Sequence, residues 1–130
     1  MNEFSRSLDV TASALRAQAT RLRHVAENIA NTDTPGYRRK TVEFETVQNG
    51  SDSVGQVDLG RVRLDRTELT KIHDPAHPMA DATGHYRGSN VNLMIEIADA
   101  REAQRSYEAN LKMFDQARQM SSSLMELLRK

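Results

Sequence analysis

The stretch Asn28-Ile29-Ala30-Asn31-Thr32-Asp33-Thr34-Pro35-Gly36-Tyr37 decides how this 130-residue chain is built. It is a helix stop followed by a turn of defined type. Asn31 suits the left-handed position that closes many helices. Thr34 precedes a proline and is pushed out of the helical region. Pro35 and Gly36 fit the two central positions of a type II turn, proline presetting φ and glycine supplying a positive one. Asn28, Asn31 and Asp33 can each bond neighbouring backbone groups.

Upstream of the stop, Leu8, Ala12, Leu15, Ala19, Leu22, Ala26 and Ile29 recur at alternating spacings of four and three. That is a heptad seam on one face of a helix, two residues in seven wide, with large and small side chains alternating. It is narrower than the stripe of a helix lying on a globular core. Neither Pro nor Gly interrupts residues 1–34. The expectation is an N-terminal coiled-coil helix over residues 1–31 and a junction over 32–40.

The far end of the chain mirrors this. Residues 91–130 again lack Pro and Gly, and Ala103, Tyr107, Asn110, Phe114, Ala117, Leu124 and Leu128 belong to a second 3–4 seam that also takes in Ala100 and Ser121. Ile97, Leu111, Met113, Met120, Met125 and Leu127 flank it, so the apolar surface exceeds what one partner helix covers. Asn92 fits an N-cap. Asn110, a polar residue inside the seam, suits a register-setting role. The expectation is a C-terminal coiled-coil helix over 90–130, forming one discontinuous domain with residues 1–31.

Between them, residues 41–89 read as a β-hairpin and extended-loop insertion. Val42, Phe44 and Thr46 alternate with glutamates, and Val62 and Leu64 alternate with charged residues, the pattern of half-buried strands. Gln48-Asn49-Gly50-Ser51-Asp52-Ser53 reads as the loop joining them. His73-Asp74-Pro75-Ala76-His77-Pro78 reads as an extended loop, because its prolines exclude a helix. The fold class is therefore mainly α: two long terminal helices pairing as an antiparallel coiled coil around a small β insertion.

Composition narrows the function. There is no cysteine, so no disulfide framework, thiol nucleophile or Cys-based metal site. No stretch approaches the roughly 18 apolar residues that span a bilayer, and the N-terminus does not read as a cleaved secretory signal. Net charge is zero, which argues against a basic nucleic-acid binder. Locally, however, residues 1–40 hold seven Lys/Arg against four Asp/Glu, and residues 41–90 five against eight. Apolar residues make up 38% of the chain, thin for a solo core. His73, His77 and His85 near Asp74 and Asp81 resemble a metal-ligand list, yet Pro75 and Pro78 forbid the helix that gives an i,i+4 pair its meaning. No phosphate-binding glycine loop is present. The expectation is no catalytic residue, no cofactor and no metal. Arg38-Arg39-Lys40 reads as a solvated basic triplet, with a phosphate or an acidic partner as the alternative.

Asn28-Ile29-Ala30-Asn31 followed by Thr34-Pro35-Gly36-Tyr37-Arg38-Arg39-Lys40 resembles the N-terminal signature of bacterial flagellar rod and hook axial proteins. His73-Asp74-Pro75-Ala76-His77-Pro78, Asn90-Val91-Asn92 and Arg105-Ser106-Tyr107-Glu108-Ala109-Asn110 resemble the later blocks of a short member that builds the proximal rod. Ser89 stands where that family often has proline. The resemblance implies a structural subunit of the flagellar basal-body rod, polymerising with copies of itself and with other rod proteins into a helical tube that transmits torque. It implies terminal helices that order on assembly, and a periplasmic rod location within the basal body. It also implies contacts with the basal-body ring and with the flagellar type III export apparatus, which passes the chain without a cleaved signal peptide. In this reading Asn28, Ile29, Ala30, Asn31, Thr34, Pro35, Gly36 and Tyr37 form the assembly junction, and neither nucleic acid nor a direct membrane span is involved. The alternative from the seams alone is a soluble coiled-coil adaptor or chaperone.

Overall fold

The computed structural model describes residues 2–47 and 55–129. Helix α1 runs Asn2–Ala30 and helix α2 runs Leu93–Arg129. They pack side by side and antiparallel. Asn28 near the end of α1 meets Glu96 in the first turn of α2, Arg21 faces Asp99 and Glu102, and Phe4 lines a groove with Met113, Ala117 and Met120. Asn92 caps α2, its Oδ1 accepting the N–H groups of Met94 and Ile95 at 3.1 and 3.4 Å.

On α2 the packed line follows the 3–4 seam. Ala103 is fully enclosed and Ala117 buried, with Tyr107, Asn110, Phe114 and Ser121 half-buried between and beyond them. Leu124 and Leu128 lie past this stretch and are exposed, Leu128 at 73%. On α1 the buried positions are Thr11, Ser13, Ala17, His24, Val25 and Asn28. The heptad seam lies to one side of them: Leu8, Ala12, Leu15, Leu22 and Ile29 are half-buried, while Ala19 and Ala26 are exposed. The buried arc is displaced because α1 serves two neighbours. One is α2. The other is the β insertion, where Ser13 Oγ accepts the N–H of Val57 at 3.0 Å. The buried apolar residues of the described chain are Ala17, Val25, Ala103 and Ala117, so small side chains dominate the contact and the backbones come close.

Among the described residues the insertion holds six short strands in three antiparallel pairs: β1 (Lys40–Thr41) with β4 (Arg63–Leu64), β2 (Phe44–Thr46) with β3 (Val57–Leu59), and β5 (Lys71–His73) with β6 (His85–Arg87). The expected hairpin differs in its pairing. The strand around Phe44 pairs with Val57–Leu59, and the strand around Leu64 pairs instead with Lys40–Thr41, so the ladder is broken into two rungs. Phe44 is exposed rather than half-buried, because it lies over the Arg21 guanidinium, 5.8 Å from ring centroid to Cζ, and not over an apolar layer. The loop expected at Gln48–Ser53 lies outside the described residues. The extended loop expected at 73–78 is the start of a hairpin: His73 is in β5, and Asp74-Pro75-Ala76-His77 is a turn closed by the His77 N–H on the Asp74 carbonyl at 3.0 Å.

Candidate functional site

The junction between the helices is where the sequence is most specific and where the polar contacts converge. After Ala30 the chain tightens. The Asn31 N–H still reaches the Glu27 carbonyl at 3.1 Å, and the Thr32 N–H reaches Ile29 at 3.3 Å. Asn31 was expected in a left-handed conformation, but no non-glycine residue among those described has a positive φ. The helix end is closed by side chains. Asn31 Nδ2 donates to the Glu27 carbonyl at 2.8 Å, and Thr32 Oγ1 donates to Ile29 at 2.8 Å, satisfying carbonyls that a helix end leaves open. Thr34 Oγ1 donates to Asn31 Oδ1 at 3.0 Å.

The turn at Thr34-Pro35-Gly36-Tyr37 is type II. The Tyr37 N–H bonds the Thr34 carbonyl at 3.2 Å, and Gly36 has φ +76°. Nothing lies within 4 Å of where a Gly36 Cβ would stand, so backbone conformation alone demands the glycine. The Gly36 N–H also bonds the carbonyls of Arg87 and Gly88 at 3.2 and 3.1 Å, fastening the turn to the end of β6. Ser89, the departure from the family pattern, has a role here: its hydroxyl donates to the Thr32 carbonyl, which a proline ring cannot do.

Asn28 is the centre of the junction. It is 1% exposed and uses its whole hydrogen-bonding capacity. Oδ1 accepts from the Tyr37 hydroxyl and the Lys40 N–H, both at 2.9 Å. Nδ2 donates to the Lys40 carbonyl at 3.0 Å and to Glu96 Oε2 at 3.3 Å. One amide therefore joins α1, the turn, β1 and α2. Burial beside Asn28 pushes the Tyr37 hydroxyl pKa up, which keeps it a donor.

Glu96 is fully enclosed, and the Arg39 Nε donates to it. Arg39 Nη2 lies 3.0 Å from Asp99, and Nη1 lies 3.9 Å from Asp65. Burial works against the guanidinium's charge, but Glu96, Asp99 and Asp65 outweigh it and hold its pKa above the ordinary value. A buried carboxylate needs such pairing, since an isolated one costs several kcal/mol. The Lys40 ammonium pairs with Glu27 at 2.7 Å, each bond holding the carboxyl below and the amine above its usual range. Asn90 completes the frame. Its Oδ1 accepts the Arg39 N–H at 2.7 Å, and its Nδ2 donates to the Asp65 carbonyl at 2.9 Å.

Of the junction residues named from sequence, Asn28, Asn31, Thr34, Gly36 and Tyr37 make these contacts, Pro35 sets the turn, Ile29 is half-buried and Ala30 exposed. Sequence reasoning missed Glu96, named Ser89 and Asn90 without giving either a contact, and left Arg39 in a solvated triplet. Only the acid in the first turn of α2 gave a local signal, and it reads as a complement to the helix dipole. The histidines meet in pairs. His73 and His85 have ring centroids 4.7 Å apart, and His77 stacks on Tyr86 at 3.9 Å. Among the described residues no group of three His, Cys, Asp or Glu side chains is placed to hold a metal ion, and no helix is long and apolar enough to cross a membrane.

Comparison with known proteins covers both helices and the junction. Residues 2–38 match the family described as "Flagella basal body rod protein", and residues 82–127 match "Flagellar basal body rod FlgEFG protein C-terminal". The chain is 42% identical over 136 aligned positions to the flagellar basal-body rod protein FlgC of Agrobacterium fabrum, covering 99% of this chain and 98% of that protein. It is 34% identical to the FlgC of Aquifex aeolicus, covering 97% and 98%, and 30% identical to that of Salmonella typhimurium, covering 92% and 93%.

Proposed function

The chain belongs to the flagellar basal-body rod protein family, and on that premise we propose how it serves as a structural subunit. It polymerises, with copies of itself and with other rod proteins, into the helical tube of the proximal rod in the periplasm, and it carries torque through packing, without a catalytic centre. It leaves the cytoplasm through the flagellar type III export apparatus without a cleaved signal peptide and meets the basal-body ring at the base of the tube.

The observation that carries this reading is a mismatch between a rigid junction and an unfinished helix surface. Asn28 and Glu96 lock the register of α1, the turn and α2. Yet α2 leaves Met94, Ile95, Met113, Met120, Leu127 and Leu128 exposed along much of its length. Met113, Met120 and Leu127 recur seven residues apart on one side of the helix, and an exposed apolar line of this kind supports a protein contact. The four small buried apolar residues stabilise the helix pair too little to offset the ordering of two long helices, which costs about 1–2 kcal/mol per residue in backbone entropy. Neighbouring subunits supply the missing burial, and the helices order fully as they dock.

Two measurements test this. Detergent-resistant basal bodies isolated from motile cells contain the chain; a chain found only in the soluble cytoplasmic fraction fits an adaptor and sinks the rod reading. Circular dichroism of the purified monomer shows much less helix than the 29 and 37 residues of α1 and α2 require. A fully helical, cooperatively melting monomer overturns ordering on assembly.

A further inference from the structure

We propose that the groove lined by Arg38, Arg61, Arg63 and Arg66 receives the acidic outer face of the β2–β3 ladder, Glu45 with Asp58, from a second copy of this chain. The inference rests on the reading that the chain polymerises, and it names one contact through which it does so.

The groove exists because β4 pairs with β1, which brings residues 61–66 beside Arg38 over the exposed side chain of Leu64. Arg38 is held in place by its Nη1, which donates to the carbonyls of Asp65 and Thr67 at 3.2 and 3.1 Å. Arg63 has a contact with Glu43 at 3.7 Å, and both side chains are 68% exposed, so the pair holds little. Arg61 and Arg66 are exposed, and neither has a carboxylate oxygen within 4.0 Å among the described residues. Four guanidinium groups around one open groove repel each other until an anion enters.

The complementary surface carries the opposite problem. Glu45 and Asp58 are direct cross-strand partners. Like charges placed so are destabilising. Phe44 lies against Arg21 of α1, and strand alternation sets Glu45 and its partner Asp58 on the other face of the ladder; Asp58 also borders a groove with Ser13, Arg16, Ala17 and Thr20 of α1, its Oδ1 accepting the Leu59 N–H at 2.8 Å. Both carboxylates are exposed, with no Lys, Arg or His nitrogen within 4.0 Å among the described residues. Joining ladder to groove relieves both repulsions at once. A phosphate-bearing surface would satisfy the arginines but leave the neighbouring carboxylates unpaired. Because groove and ladder are different patches, the contact is head-to-tail and leaves both ends open, the geometry of a helical assembly.

The chain has no cysteine, so introduced thiols report without background. Copies carrying Asp58→Cys and copies carrying Arg66→Cys are expressed together in cells lacking the unsubstituted chain, and isolated basal bodies are mildly oxidised. The expected result is a disulfide-linked band at twice the 14.6 kDa monomer that neither variant gives alone. In parallel, the pair Arg61→Glu and Arg66→Glu loses incorporation, and adding Glu45→Arg and Asp58→Arg to the same chain restores it. Basal bodies that contain both cysteine variants but no mixed band overturn the contact. So does arginine reversal that acidic reversal cannot rescue, which assigns the groove to another polyanion. An unsubstituted chain absent from basal bodies would instead sink the polymer reading itself.

Discussion

Asn28 Nδ2 and Glu96 Oε2 lie 3.3 Å apart across 68 residues of chain, both side chains almost wholly enclosed. This bond sets where along each other the two helices stop. The other three bonds of Asn28 tie that register to the turn, so a change here acts on helix pairing and on the junction together. Asn28→Ala leaves the Lys40 N–H and the Glu96 carboxylate short of a partner, at a cost of about 1–3 kcal/mol for each buried group. Asn28→Asp is the harsher change, because it removes both donors and sets a second carboxylate against Glu96. Basal-body incorporation should fall in the order wild type, Asn28→Ala, Asn28→Asp. Equal incorporation of all three would remove Asn28 from the role given to it.

Arg39 and Glu96 make a buried ion pair, and such pairs are more damaging to break than to replace. Arg39→Met strands the enclosed Glu96 charge without its guanidinium partner, at about 3–5 kcal/mol. Arg39→Met combined with Glu96→Met removes both charges and substitutes apolar volume, so the double variant should incorporate better than the single one. A double-mutant cycle on incorporation checks this. Additive losses would show that Arg39 acts through Asp99 and Asp65 rather than through Glu96.

The uneven legibility of the molecule has a physical cause. The type II turn could be read because Thr34, Pro35, Gly36 and Tyr37 fix it locally. The α2 seam could be read because Ala103, Tyr107, Phe114 and Ala117 face one neighbour at one period. The buried side of α1 was misplaced because the helix answers to α2 through Arg21 and Asn28 and to β3 through Ser13, and a heptad pattern describes only one partner. Asn31 was misplaced because two side-chain donors close the helix where glycine-like geometry was expected. The contacts of Arg39, Asn90 and Glu96 could not be found, since their partners stand 51–57 residues away and no local spacing encodes that. The strand at Phe44 was read, but its partner Val57–Leu59 was missed because three residues are too few to show alternation.

Gly36 offers a test of backbone strain without steric confusion. With open space around its missing Cβ and φ at +76°, any β-branched residue there pays only the left-handed penalty, about 1–2 kcal/mol. Gly36→Val should block incorporation and motility, because the turn also presents its N–H to Arg87 and Gly88. Gly36→Asn, which tolerates that conformation, should retain most function. Normal swimming with Gly36→Val would mean that the turn tolerates another geometry.

The junction and the β5–β6 hairpin should loosen in acid. Asp65 is held below its ordinary pKa by bonds from Thr67, backbone first, and Asp81 by the Thr83 hydroxyl and the His85 N–H. Glu27 is lowered by its bond from Lys40. Each carboxylate ionises more readily folded than unfolded. Its contribution is therefore complete above the unfolded value near about 4 and fades as pH falls through the lower folded value. Lys40 is raised, so its share is complete below the ordinary lysine value and fades only as pH rises through the folded one. Carboxyl titration by NMR should place the three midpoints below the usual range, and Thr83→Val should move that of Asp81 back upward. An unmoved Asp81 midpoint would leave the Thr83 bond without effect.

The heptad seam of α1 gives the last prediction, because the structure leaves it off centre. Leu8, Leu15, Leu22 and Ile29 are half-buried, and Ala19 and Ala26 are exposed. A ridge of this kind, flat where the alanines sit, suits a helix of the next subunit approaching closely. Ala19→Arg touches nothing buried within one chain, so the helix content of the isolated monomer should not change, whereas incorporation into basal bodies should be lost. Leu22→Asp should lose incorporation too and also weaken the helix pair, since it gives up part of the about 1.5–3 kcal/mol that burying a leucine provides. The two variants together separate the faces. If Ala19→Arg cells swim at normal speed, no neighbour packs on the alanines, and the uncovered surface of α2 carries the assembly contacts alone.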